Sequence, residues 1–84
     1  MSIHPTGARC LRPYVLRVRF SDGVTKDVDL ESELWGEVFE LLKDESLLRQ
    51  ARVGPESHTV EWPNGADLPP EFLYETGRTV EPFS

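Results

Sequence analysis

Eighty-four residues with a net charge of −6 make one small domain. A chain of this length buries only about 60 to 65 percent of the surface its unfolded form exposes, which leaves little room for a deep enzymatic cleft. A single cysteine, Cys10, excludes an internal disulfide, no apolar run nears the roughly 18 residues of a membrane span, and the start MSIHPTGAR lacks the apolar stretch of a signal peptide, so no membrane association and a cytoplasmic location are expected.

The charge is uneven along the chain. Residues 1–28 hold five basic side chains against two acidic ones, +3, whereas residues 29–84 hold four against thirteen, −9. Such a distribution can steer or dock a charged partner, although an uneven solvated surface is the commoner outcome.

In chain order, residues 1–9 read as an N-terminal arm, 10–75 as a single domain and 76–84 as a flexible tail whose Val80 and Phe83 would be ordered only against a partner. Tyr14 to Phe20 alternates, with Tyr14, Leu16, Val18 and Phe20 on one face and Val15, Arg17 and Arg19 on the other, as a half-buried strand does. Val24 to Leu30 alternates in turn, so the two form a hairpin.

Its register follows from the rule that opposed residues share a face. A two-residue Asp22-Gly23 loop would set Val18 against Asp27 and bring acids to the apolar face. A three-residue Ser21-Asp22-Gly23 loop, with Gly23 left-handed, sets Phe20 against Val24, Leu16 against Val28 and Tyr14 against Leu30, and leaves an Arg17–Asp27 pair outside. Lys26 then falls opposite Val18 on the inner face and has to sit near an edge with its ammonium reaching water.

From Glu31 to Ala51 the period becomes helical, with Leu34, Val38, Leu41 and Leu42 in one stripe widened by Trp35 and Phe39. Gly36 costs about 1 kcal/mol inside a helix, and Lys43-Asp44-Glu45 interrupts the stripe before Leu47, Leu48 and Ala51, so two short helical pieces are expected, with Asp44 capping the second. Arg52-Val53 and Thr59 to Trp62 read as short strands around a Gly54–Ser57 turn. The fold class is α+β, a small, mainly antiparallel sheet in β-β-α-β-β order with short helices packed on one face. The predicted core is Leu16, Val18, Phe20, Val28, Leu34, Val38, Phe39, Leu42, Leu47, Val60 and Trp62. Its modest size means that a homo-oligomer would be stabilising.

The stretch Trp62 to Tyr74, WPNGADLPPEFLY, reads as a structural corner more than a ligand site. Pro63-Asn64-Gly65 ends a strand in a tight turn, Asp67 or Leu68 precedes a short helix with a proline in its first turn, and Phe72, Leu73 and Tyr74 return apolar weight to Trp62. Asp67 is the expected cap of that helix.

Chemistry-bearing patterns are sparse. His4 and His58 are the only histidines and lack metal-ligand spacing. His58 shares a strand face with Val60 and Trp62, and a His58–Asp67 acid/base pair is conceivable only if the loop folds back. The serines occupy turn and helix-start positions, and no glycine-rich phosphate loop is present. No enzyme activity, metal or cofactor is expected. Arg9, Arg12, Arg17 and Arg19 form a basic cluster, yet a domain with a pI near 4.8 is a poor phosphate binder, so nucleic acid is not expected as a partner of this domain alone. The candidate interaction surface is Arg17 and Arg19 on the strand face together with Asn64, Gly65 and Asp67 in the corner.

Three segments in this order, VRFSDGVTKDVDL, GEVFELLKDESLLRQARV and HTVEWPNGADLPPEFLYE, together resemble the bacterial domain of unknown function 2442 family over roughly residues 10–75. The resemblance implies a small α+β domain, fused in some relatives to a C-terminal helix-turn-helix and often encoded beside short genes in arrangements that look like toxin–antitoxin pairs. With Ser84 as the last residue, no helix-turn-helix is expected here. The function expected is a non-enzymatic protein-interaction or regulatory module, antitoxin-like, whose protein partner is encoded by an adjacent gene. The alternative is a transcription-associated nucleic-acid-binding or ligand-sensing domain.

Overall fold

The computed structural model describes residues 3–33 and 36–80, and at positions 33, 38, 39 and 41 only the backbone. Alternation in the first third of the chain builds the main sheet. β1 (Pro5–Arg12), β2 (Val15–Phe20) and β3 (Thr25–Asp29) pair antiparallel in sequence order, and β7 (Arg78–Thr79) adds to β3 as the fourth strand. Between them come α1 (Leu30–Glu33), α2 (Gly36–Leu42) and α3 (Glu45–Leu48), then a second, three-stranded antiparallel sheet of β4 (Arg52–Val53), β5 (Val60–Glu61) and β6 (Asp67–Leu68), and then α4 (Pro70–Thr76). The fold is α+β, with every described strand pairing antiparallel and every helix short.

The strand and helix order is longer than the β-β-α-β-β order expected. Residues 5–9, read as an arm, belong to β1, because Ala8 opposes Val18 and Cys10 opposes Leu16 on the inner face. PTGARCLR lacks clean alternation because bulges at the Pro5/Gly7 and Cys10/Arg12 steps shift its register. Residues 78 and 79, read as tail, form β7, and the Val80 amide donates to the Thr25 carbonyl at 2.9 Å.

The β2–β3 hairpin has the register deduced from the sequence. Leu16 opposes Val28, Arg17 opposes Asp27 and Val18 opposes Lys26. The Phe20 amide donates to the Val24 carbonyl at 2.8 Å, and Gly23 closes the loop at φ 90°, a left-handed conformation that L side chains resist. The Leu30 amide donates to the Tyr14 carbonyl at 2.7 Å, matching the expected opposition of those two residues. Tyr14, however, is not in the strand. It occupies the two-residue turn between β1 and β2 at φ 67°, a conformation costing a non-glycine residue about 1–2 kcal/mol. Its hydroxyl donates to the Lys43 carbonyl at 2.6 Å, tying the turn to the end of α2.

Lys26 takes the inner register position expected, with β7 beside β3 there. Its ammonium lies 4.5 Å over the ring of Tyr74. Gly36 has φ 71° and begins α2, so the glycine that looks like a cost inside one helix is the residue that lets the chain turn into another. Asp44 caps α3, accepting from the Ser46 amide at 2.9 Å.

Leu16, Val18, Phe20 and Val28 from the main sheet meet Leu42, Leu48, Val60, Trp62, Leu68 and Leu73 in one core, together with Leu30 and Ala66. Leu48, not the predicted Leu47, is the fully buried member of its pair. The predicted core positions Leu34, Val38 and Phe39, with Trp35 and Leu41 of the same stripe and Phe83 of the tail, lie outside the described residues and side chains. Helices and second sheet thus contribute to a core on one face of the main sheet, and among the described residues no element packs on its other face.

Candidate functional site: an arginine-bearing sheet face

Opposed residues share a face, so the registers assign the open side of the main sheet directly. Gly7, Arg9 and Arg12 of β1, Val15, Arg17 and Arg19 of β2, Thr25, Asp27 and Asp29 of β3 and Arg78 of β7 all lie on it. That is five arginines against two aspartates, +3, while the remainder of the chain holds four basic and thirteen acidic residues, −9. The asymmetry along the sequence becomes an asymmetry between surfaces.

The central row reads Arg9, Arg17, Asp27, Arg78 across four strands. Asp27 accepts from Arg17 Nε at 2.8 Å and from Arg17 Nη2 at 3.1 Å, a two-pronged pair, with the side chains 38% and 28% exposed. That hydrogen bonding raises the Arg17 pKa above the ordinary guanidinium value, with burial opposing it and the aspartate charge assisting. One carboxylate is thereby committed, and among the described residues Arg9, Arg12, Arg19 and Arg78 have no ion pair. The basic side chains elsewhere are engaged: Lys43 with Glu40 at 2.9 Å, Arg49 with Glu45 at 2.7 Å, Arg52 with Glu61 at 3.2 Å, and Lys26 over Tyr74.

The open face is hollowed. A groove of about 430 Å³ runs between Thr6, Gly7, Arg9, Arg17, Arg19 and Thr25, and a second hollow of about 420 Å³ includes Arg12, Asp27, Asp29 and Arg78. Gly7 leaves the first one clear, since a Cβ built there meets nothing within 4 Å. Thr6 Oγ1 donates to the Arg19 carbonyl at 3.3 Å across the bulged end of β1.

The other candidate residues lie elsewhere. Asn64 and Gly65 form the exposed turn between β5 and β6, and Asp67 is exposed on β6 opposite Glu61. Their polar groups close the corner. Asn64 Oδ1 accepts from the Ala66 amide at 3.0 Å, the Trp62 amide donates to the Ala66 carbonyl at 2.9 Å, and the Gly65 amide donates to the Trp62 carbonyl at 3.0 Å. Trp62 Nε1 donates to the Leu48 carbonyl at 3.1 Å. Asp67 is not a helix cap. Pro69 holds that position without a side-chain bond and Pro70 begins α4, while Asp67 is paired in β6, two residues before the cap, and Leu68 is buried in the core. Arg17 and Arg19 line the groove, whereas Asn64, Gly65 and Asp67 line neither hollow.

His58 is not on the β5 face. It is exposed in the preceding turn at φ 58°, its amide donating to the Gly54 carbonyl at 3.0 Å, and its ring meets His4 edge-on at 5.7 Å. Among the described residues no three His, Cys, Asp or Glu side chains converge as a metal ion needs, and no helix is long and apolar enough to cross a membrane. Away from the open face, Asp22 accepts from the Tyr74 hydroxyl at 2.6 Å and from the Val24 amide at 3.0 Å. The Tyr74 bond, then the Val24 bond, hold its carboxyl below the usual aspartate range.

Arg9 and Arg12 are visible in the sequence as part of a basic cluster, but their membership of this face depends on β1. Arg78 carries no signal in the sequence, because a two-residue strand has too few positions to show a period. Charge excess would have been the only guide.

Together these features define a small α+β domain whose helices and second sheet share one core and whose main sheet keeps an open basic face. The chain belongs to the family described as "Protein of unknown function (DUF2442)", which it matches over residues 5–79. No curated protein and no solved structure matches it.

Proposed function

We propose that the chain is a non-enzymatic protein-interaction module that holds an acidic surface of a protein partner against the open face of its main sheet. The observation carrying this reading is the set of four arginines on that face without an ion pair among the described residues, in a chain of net charge −6. Guanidinium groups on a hollowed sheet favour carboxylates, which they can grip with two parallel hydrogen bonds. The acidic remainder of the molecule repels the same partner everywhere else, so the face sets orientation as well as attraction. The family resemblance supplies a candidate for the partner, the product of an adjacent short gene, with this chain as the antitoxin-like member of the pair.

Binding of purified neighbour product, followed by calorimetry at two salt concentrations, tests this. Reversing Arg9 and Arg19 together to Glu is expected to weaken binding more than about tenfold, and added salt to weaken the wild-type complex. Undiminished binding by the double variant overturns the reading.

Regulatory nucleic-acid binding is the second reading, favoured by Arg17 and Arg19 standing two residues, about 7 Å, apart along one strand. None of the outward residues assigned to the face is aromatic, so bases would find no stacking platform there. A salt-dependent DNA shift abolished by Arg17→Glu with Arg19→Glu supports it, and no shift at low salt ends it.

A further inference from the structure

The groove lined by β1, β2 and the start of β3 has an internal charge balance that narrows what it takes. Arg9 and Arg17 are direct cross-strand partners, an opposition of like charges that weakens a sheet. Arg19 stands two residues along β2 on the same face. Among the described residues the carboxylate paired with these three guanidinium groups is Asp27, which Arg17 already holds with two hydrogen bonds. The local sum is +2, in hydrogen-bonding groups aimed at a hollow of about 430 Å³.

A second carboxylate would satisfy one guanidinium fork and leave the row positive. A phosphate monoester carries a charge of about −1.5 to −2 near neutral pH and presents three acceptor oxygens, so a single group can engage Arg9 and Arg19 together and cancel the excess. Gly7 gives such a group room, since the volume a Cβ would enter there is open, and the hydroxyl-bearing Thr25 lines the opposite wall.

We infer that this groove binds a phosphate monoester dianion, presented as a phosphorylated side chain of the protein partner. The assignment deepens the interaction reading and rests on it for the source of the phosphate. Arg9 and Arg19 grip the phosphoryl oxygens, Arg17 contributes charge while remaining tied to Asp27, and Gly7 keeps the approach clear. Phosphorylation of the partner then controls docking.

The test uses the full chain labelled with ¹⁵N at about pH 7.5, where a monoester is largely dianionic. Phenyl phosphate, malonate and a single-stranded oligonucleotide are titrated separately at constant ionic strength. The expected result is saturable shifts of the Gly7, Arg9, Arg19 and Thr25 amides, with phenyl phosphate binding at least about fivefold more tightly than malonate. Gly7→Glu, which fills the groove with a carboxylate while leaving every arginine in place, and Arg9→Gln should each weaken phenyl phosphate about tenfold or more. Arg52→Gln, on the second sheet, should leave its affinity unchanged.

Equal affinity for malonate and phenyl phosphate overturns the phosphoryl assignment and leaves the acidic-partner reading standing. No saturable shift with any anion overturns the groove as a site. Tighter binding of the oligonucleotide per phosphate, lost in the same variants, also overturns the assignment and gives the groove to nucleic acid. Binding of phenyl phosphate at the groove, alongside a protein complex indifferent to charge reversal on the face, upholds the anion site and removes the partner reading alone.

Discussion

The open face of the main sheet and the Trp62–Tyr74 corner both carry the polar, solvent-facing residues that mark a site in a sequence, and they use them in opposite ways. Each sheet has a cross-strand row with two like charges side by side: Arg9 and Arg17 in one, Glu61 and Asp67 in the other. In the corner the repulsion is managed internally, because Glu61 accepts from Arg52 at 3.2 Å and from Ser57 Oγ at 3.0 Å, and the turn amides and the Trp62 indole are bonded within the chain. On the open face Asp27 answers Arg17 alone. Hydrogen-bonding capacity spent inside the molecule stabilises a fold, and capacity left facing a hollow is available to something else.

Removing the anchor of the corner should break this contrast most visibly. Trp62→Ala deletes a 2% exposed indole and its bond to Leu48, and is expected to cost about 3–5 kcal/mol, seen as a large fall in the urea midpoint by circular dichroism. A loss below about 1 kcal/mol would show the corner to be dispensable to the core. A smaller effect joins the two regions. A Cβ at Gly77 would stand 2.7 Å from Lys26 Cβ and 2.8 Å from the Leu73 carbonyl, so Gly77→Ala is expected to cost about 1–3 kcal/mol and to push β7, with Arg78, away from β3. Loss of amide protection at Val80, which donates to Thr25, reports that displacement; retained protection at unchanged stability contradicts it. The smallest effect belongs to Asp67→Ala, exposed and without a capping role, which should stay within about 0.5 kcal/mol of wild type and bind the partner normally. A melting shift like that of a lost helix cap would restore the reading taken from the sequence.

The sequence was legible where a single periodicity or turn rule decided the outcome. Choosing the loop that kept acids off the apolar face was enough to place Arg17 against Asp27 and Gly23 at positive φ. Asp44 was identifiable as a cap because an acid before Glu-Ser at the restart of an apolar stripe has few other roles. Two bulges hid β1, and β6 and β7 contribute two residues each, below the length at which alternation exists. Asp67 misled because an acid before two prolines is a helix-start signature, whereas the chain uses that position to complete a hairpin with Glu61. The open face was therefore half visible: Arg17 and Arg19 follow from the hairpin, while Arg9, Arg12 and Arg78 needed strands that only tertiary pairing reveals.

Tyr74 joins distant parts of the chain through one side chain. Its ring meets Phe20 edge-on at 4.9 Å and lies under the Lys26 ammonium, and its hydroxyl binds Asp22. A lysine at an inward position of β3 is acceptable because that aromatic is present, so the tolerance of position 26 is conditional on position 74. Substitutions at Asp22, Lys26 and Tyr74 should then be epistatic, each measuring a different residue's contribution depending on which of the others has already been changed.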